Sequence, residues 1–299
     1  MNRSKHLDFR LGISPLSWVN EVIEEFGRHT SAETVLSQAA AAGYAGVEMS
    51  RVFPKDAGQL KPLLAGYGLD LISGWHSGFL AERDVEAELA AVHDHAQLLA
   101  ECGASVMVYG ECGLMAENAL DIPMSRRLRL GQGAVAGYCD RLTGFAETLA
   151  SRYGLELAYH HHLMMIAETV DEVETIIGGT GDAVGLLLDT GHCQAGGFDY
   201  RQLIQKFGGR INHIHLKDVR AEVIATVRDQ DLSFNQAVRS GVFTIPGDGM
   251  VKFDPIIEFA RETGYSGWMV VEAEQDPNHA PPAQTIARAR GYLTTVANH

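Results

Sequence analysis

The feature that most constrains this chain is a rhythm. Eight short apolar segments recur at a spacing of roughly 30 to 40 residues, each separated from the next by a longer amphipathic stretch. They are LGISPLSW from Leu11, AGVEM from Ala45, LDLISGWH from Leu69, SVMVYGEC from Ser105, LELAYHHH from Leu155, VGLLLDTGH from Val184, INHIHLKD from Ile211 and GWMVVEAE from Gly267. The intervening stretches read as helices. In SAETVLSQAAAAG, Ser31 can cap the start and Gly43 can end it, and glycine-terminated turns recur in ECGAS, RYGLE and ETGYSG. Eight strands alternating with helices in a 299-residue chain fit an α/β fold of one closed (β/α)8 barrel, with residues 1–299 as a single domain. No G-x-G-x-x-G follows an early strand and no P-loop is present, which disfavours the nucleotide-binding open sheets.

Charge narrows the partners. With 24 Lys+Arg against 38 Asp+Glu, a net charge of -14 disfavours nucleic acid and an anionic membrane. Cys102, Cys112, Cys139 and Cys193 show no paired C-x-x-C spacing and read as reduced thiols. The opening MNRSKHLDFR has no signal-like apolar run, and no apolar run elsewhere is long enough to span a bilayer. The expectation is a soluble cytoplasmic protein acting on something small.

The stretch INHIHLKDVR carries the chemistry. A period of two sends Asn212, Ile214 and Leu216 one way and His213, His215 and Lys217 the other, so one face is mostly apolar and its opposite basic. Two histidines on such a face are either satisfied core residues or ligands, and carboxylates elsewhere decide between the two. Chemistry in a (β/α)8 barrel sits at the carboxyl ends of the strands. There the fifth strand offers Tyr159, His160, His161 and His162, the sixth Asp189 and His192, the seventh His215 and Lys217, and the eighth Glu272 and Glu274. Two carboxylates and one or two imidazoles converging on a point are costly unless a cation neutralises them; otherwise they form a metal-free network of ion pairs. Mixed nitrogen and oxygen donors suit Mn, Co, Fe or Zn more than Mg or Ca.

The remaining mouth residues are assigned to substrate: Trp18 on the first strand, Glu48 on the second, His76 on the third and Glu111 on the fourth. Glu48 reads equally well as a structural partner of a neighbour. The turn IPGDGMVKFDP, from Ile245 to Pro255, is expected to close over a neutral substrate. The long connection from Val219 to Phe243 is either a lid or an inserted helix, with LSFNQAVRSG as its helical part.

The order Asp189 and His192 in DTGH, His215 in HLKD and Glu272 in VVEAE resembles the xylose isomerase-like TIM barrels, which include sugar epimerases and endonuclease IV. LGISPLSWVN, AGYAGVEMSRVFPKD, LISGWHSG, LAYHHH, LDTGHCQAGG, HIHLKDVR, LSFNQAVRSGVFTIPGDG and GWMVVEAEQDP narrow that resemblance, loops included, to the inosose dehydratase family. The epimerase pattern of Glu, Asp, His and Glu places metal ligands at Asp189, His215 and Glu272. It falls on His160 at the fifth strand, where His162 shares the face and is the alternative.

Losing one of the two glutamates that work as bases in the epimerases suits a dehydratase, which needs one carbon base and one acid. The resemblance thus implies a divalent metal, Mn or Co, on the ketone oxygen of 2-keto-myo-inositol. It implies Glu272 or a fifth-strand histidine as base and Lys217 or His192 as acid, with charge balance as the alternative role for Lys217. It also implies a homodimer or homotetramer and a response to glutathione. The rivals are a sugar isomerase or epimerase, a nuclease like endonuclease IV and a non-catalytic polyol-binding protein. The nuclease would want a basic groove and a histidine where Cys112 stands.

Overall fold

A parallel strand cannot return through a hairpin, so each strand here is followed by a crossover and the sheet is built one unit at a time. A computed structural model describes residues 10–298. Its main strands are β1 (Arg10–Ile13), β2 (Gly46–Val47), β3 (Asp70–Leu71), β4 (Trp75–Gly78), β5 (Val106–Glu111), β6 (Glu156–His160), β7 (Val184–Asp189) and β8 (Ile211–Leu216). Numbering β9 (Asp218–Val219) and β10 (Phe243–Thr244) as a separate pair, the main sheet finishes with β11 (Trp268–Val271). Its order is β3-β2-β1-β11-β8-β7-β6-β5-β4, parallel throughout. The two outermost strands, β3 and β4, are halves of the third apolar segment, joined through residues 72–74. One continuous piece of chain therefore links the two ends of the sheet, and it closes into the eight-segment barrel that the rhythm predicts.

The period of two separates two cores. Met107, Tyr109, Leu157, Tyr159, Leu186, Leu188, Ile214, Leu216, Met269 and Val271 pack outward into one large cluster with the helices. Each fully buried leucine there contributes about 1.5–3 kcal/mol relative to exposure. Val106, Val108, Ala158 and Leu187 form a small cluster on the opposite faces of their strands, and Ile72, Trp268 and Val270 form another. Asn212 breaks the expected alternation. The register of β8 against β7 shifts between Leu186 and Leu187, and Asn212 turns its amide to Glu156 and the Leu157 carbonyl.

Helix ends follow the local chemistry. Ser31 accepts from the Thr34 N–H at the start of α1 (Ala32–Ala41), and Gly43 adopts φ +82° just beyond its end. Between α1 and the fourth barrel unit lie α2 (Ala57–Tyr67) and α3 (Val85–Glu101); α4 (Gln132–Tyr153), α5 (Val170–Gly179), α6 (Thr190–Ala195) and α7 (Arg201–Phe207) follow.

The outsized connection holds α8 (Ala221–Asp229) and α9 (Phe234–Arg239), framed by the antiparallel β9 and β10. The expected helix in LSFNQAVRSG is α9, started by reciprocal bonds between Ser233 and Gln236; α8 is an additional one. This insert owns a second apolar cluster that includes Ile224, Val227, Phe234, Val238 and Phe243, and draws in Ile23, Phe26, Leu163 and Met164 from other loops. It is also clasped to the loop after β5: the Met124 N–H donates to the Leu232 carbonyl (3.2 Å), Ser125 Oγ to Asp231 (2.6 Å) and Asn235 to Asp121 (2.8 Å). The barrel finishes with α10 (Asp254–Thr263) and α11 (Pro282–Ala297). Among the described residues no helix is long and apolar enough to cross a membrane, and the four cysteines are free.

Candidate metal centre

Four consecutive barrel strands each deliver one donor to a single point. His160 ends β6, Asp189 ends β7, His215 lies near the end of β8, and Glu272 follows β11. One ligand-type atom from each lies within 4.8 Å of the others, and all four residues are buried.

Each side chain is held by its far atom. His160 Nδ1 faces the His161 carbonyl at 2.5 Å, which puts the proton on that nitrogen and leaves Nε2 as a lone pair, 3.6 Å from Asp189 Oδ2. Asp189 Oδ1 caps α6 by accepting from the His192 N–H at 2.7 Å, leaving Oδ2 bare. His215 Nε2 faces Glu48 Oε1 at 3.0 Å and leaves Nδ1 pointing inward. Glu48 is itself fixed by Ser73 Oγ (2.7 Å) and His213 Nε2 (3.0 Å). This carboxylate behind the imidazole orients metal-ligating histidines generally.

Asp189 Oδ2 and His215 Nδ1 are buried without a well-directed hydrogen bond, and Glu272 Oε2 faces them, 3.0 Å from His215 Nδ1 and 2.8 Å from the Lys217 ammonium. Each buried polar atom left in that state costs about 1–3 kcal/mol. Two imidazoles and two carboxylates present the donors and the charge that a divalent cation of the Mn, Co or Zn type takes, so the residues fit such an ion.

Two neighbouring clusters do not fit one. Glu48, His213 and His215 already satisfy one another, and the space between His192 and Glu274 holds the Lys217 ammonium, 3.0 Å from His192 Nε2 and 3.3 Å from Glu274.

Lys217 is buried and also lies 2.8 Å from Glu272 and 3.6 Å from Asp189. Burial by itself lowers its pKa, but Glu272, Asp189 and Glu274 overcome this and hold it far above the ordinary lysine range, as a fixed cation. The same contest raises His215 well above 6.5: burial opposes the charge, and Glu272, Glu48 and Asp189 outweigh it. Burial together with His215 depresses His160, and burial together with Lys217 pushes His162 down to about 4. Glu274 is raised, because burial outweighs the pull of Lys217.

Above the donors lies a cavity of about 210 Å³, lined by His160, His162, His215, Lys217, Glu272, Glu274 and Glu48. Trp75, Ser77, Cys112, Met165 and Phe234 also line it, and the loop after β1 adds Asn20 and Glu21.

The structure brings together all four expected metal ligands and places His160, not His162, in the set. His162 lines the cavity instead and packs against His192 with ring centroids 3.7 Å apart and the planes tilted by 38°; His192 Nε2 lies 3.0 Å from the Lys217 ammonium.

The expected substrate contacts fare differently. Glu48 reaches the cavity, but its Oε1 is occupied by Ser73, His213 and His215. Trp18 is buried beside α1 and donates to Gln38 at 2.7 Å. His76 turns away to Glu88 of α3 at 2.6 Å, because on β4 the inward phase belongs to Trp75 and Ser77. Glu111 turns away in the same manner and accepts from Tyr109 and from the Gly113 and Ala81 N–H groups, while Cys112 faces the cavity. The glycine-rich turn does not offer its donors to a ligand, since the N–H groups of Gly247, Gly249 and Val251 all bind the Asp218 carboxylate. Trp75, Ser77 and Phe234 escape a reading of the sequence that looks for ionisable groups. For Trp75 and Ser77 the signal there is their phase on β4 beside Gly110 of the neighbouring strand; Phe234, on α9, has none.

Comparison with known proteins agrees with this architecture. The family model for the xylose isomerase-like TIM barrel matches residues 36–296. The rhizopine catabolism protein MocC of Rhizobium meliloti is 43% identical over 99% of this chain and 90% of its own. The inosose dehydratase of Geobacillus thermodenitrificans is 37% identical over 95% of this chain and 96% of its own. Among solved structures, the IOLI protein with a bound zinc atom superposes with a TM-score of 0.70 at 18% identity, covering 97% of this chain and 98% of that one. A D-allulose 3-epimerase from Methylomonas sp. superposes with a TM-score of 0.67 at 17% identity, covering 96% of each chain. At those identities the structural likeness carries the fold alone. The chain belongs to the xylose isomerase-like TIM barrel family, and within it to the group of the inosose dehydratases.

Proposed function

We propose that this protein is a hydro-lyase that removes water from 2-keto-myo-inositol, giving a trihydroxycyclohexane-1,2-dione in inositol catabolism. The observation that carries the reading is the convergence of buried donor atoms from His160, Asp189, His215 and Glu272 on one point under a cavity sized for one six-membered polyol ring. Relatives 35–37% identical over nearly the whole chain and named inosose dehydratases supply the substrate class. The four free thiols support a reducing, cytoplasmic setting.

Those four residues would hold the ion, manganese or cobalt in this reading. When bound, it supplies Lewis acidity that polarises the ketone and makes the adjacent C–H acidic. The protein's own groups do the rest. Glu272, facing the cavity, takes the proton from the hydroxyl-bearing carbon next to the ketone. The electron pair of that C–H bond becomes a carbon–carbon double bond as the next carbon loses its hydroxyl. Glu274 faces the cavity 3.3 Å from the Lys217 ammonium, and in this reading it relays the proton that lets the hydroxyl leave as water. The resulting enol gains a proton at the carbon that lost oxygen and becomes the second ketone.

Lys217 lies among three carboxylates, Asp189, Glu272 and Glu274, which favour its charged form. It serves as a fixed cation that steadies negative charge on the substrate oxygens and sets the direction of Glu274. His192 supports Lys217.

The test is direct. Purified protein with manganese or cobalt and 2-keto-myo-inositol should give a product lighter by one water, with dione absorbance that chelator abolishes. A product of unchanged mass would make it an isomerase or epimerase, and saturable binding without turnover would make it a polyol-binding protein.

A further inference from the structure

The largest side chain at the cavity that this chemistry does not use is Trp75. It is 39% exposed, whereas Trp18 and Trp268 are 2% and 4% exposed. Its orientation is built into the sheet. Trp75 and Ser77 share one face of β4, and the indole Nε1 donates to Ser77 Oγ at 2.9 Å, which satisfies its polar edge. The six-membered half of the indole lies over Gly110 of the adjacent β5, where a Cβ would come within 2.0 Å of the ring. Only a bare position on that strand leaves room for it. Two more rings hold it in place: His160 at a centroid distance of 5.7 Å and His162 at 6.1 Å, both edge-on. A rigid aromatic surface thus stands beside the metal-ligand candidate His160, with part of it open in the cavity wall.

A cyclic polyol has two kinds of surface. Its hydroxyl and carbonyl oxygens match the floor of carboxylates, imidazoles and Lys217, and its ring hydrogens form a weakly polar face that ions cannot bind. Resting on the dehydratase reading above, we infer that Trp75 is the specificity-determining platform for the C–H face of the substrate ring. It favours closed six-membered polyols over acyclic ketoses that could offer the same oxygens to the floor.

Trp75→Ala should raise KM for 2-keto-myo-inositol about 10- to 100-fold, the range for loss of one apolar contact in a pocket, with a smaller change in kcat and the same bound metal. Trp75→Phe should recover most of the loss. Because Trp75 is the exposed indole, saturating myo-inositol, an unreactive cyclitol, should shift the tryptophan fluorescence of the metal-loaded protein, and Trp75→Phe should abolish the shift. Turnover by Trp75→Ala with wild-type KM would overturn the platform and leave the dehydratase standing. A fluorescence shift by myo-inositol in a protein that does not dehydrate the inosose would do the reverse. Neither shift nor turnover would sink both.

Discussion

The late and early strands of this barrel obey the same alternation but use it differently. On β6, β7, β8 and β11, the ionisable residues at alternate positions turn inward and meet one another, giving the His160, Asp189, His215 and Glu272 set with Lys217 beside it. On β4 and β5 the ionisable residues, His76 and Glu111, turn outward to the helical layer, and the inward positions carry Trp75, Ser77, Gly110 and Cys112. The late strands gather the charged groups, and β4 and β5 present a neutral wall. A polar residue at a strand's carboxyl end is therefore not enough to make a site residue; its phase decides.

Substitutions in the two halves separate these roles. The largest effect is expected at Asp189, where Asp189→Ala should abolish bound metal and lower turnover by roughly 10³-fold or more, read by metal content and kcat. Lys217→Met should keep the metal but lower kcat by about 10²-fold. It should also cost about 3–5 kcal/mol in denaturant unfolding, since Glu272 and Glu274 lose their buried partner. Loss of metal in that variant would instead make Lys217 part of the ligand scaffold.

Glu48 tests the boundary between the halves, because it sits on an early strand yet serves a late ligand. Glu48→Gln should weaken metal affinity by about 10- to 100-fold through His215, whereas His76→Ala should leave affinity within error and act on stability alone.

Proton linkage offers a sharper contrast. In the cation-free protein the carboxylates raise His215, so its contribution to stability is complete below pH 6.5 and is lost as pH rises through the elevated value. A cation must displace that proton, so metal affinity should rise about tenfold per pH unit below that value, and titration should release close to one proton.

In the early half, burial raises the Glu111 carboxyl from 4.5 to about 7. Its neutral form is the stabilising one, present below pH 4.5 and lost as pH rises to about 7. Glu111→Gln cannot titrate but turns its amide NH2 toward a donor, so it should lose the decline of stability between pH 4.5 and about 7 while starting lower at acid pH, read by urea unfolding at each pH with no change in metal affinity. A shift in metal affinity there would dissolve the division between the halves.

Much of this was legible in the residues. The eight-unit rhythm announces a barrel because each buried strand needs a continuous apolar run and each crossover an amphipathic helix. The donor set is legible because several ionisable groups on neighbouring late strands can be satisfied only by one another and a cation, so their chemistry reveals their phase. Along β8 that argument held for Ile214 and Leu216 and failed at Asn212, where a register shift intervenes.

Only the tertiary structure decided the rest. A lone histidine or glutamate on an early strand can be satisfied on either face. The choice for His76 rests on Glu88, twelve residues away on α3, and that for Glu111 on Tyr109 and the Gly113 and Ala81 amides. The turn at Gly247 and Gly249 likewise looks open to a ligand until the chain folds back and Asp218 takes its N–H groups. Period and composition are local and survive in one dimension. Which neighbour satisfies a single polar group depends on distances that exist only once the helices have packed on the barrel.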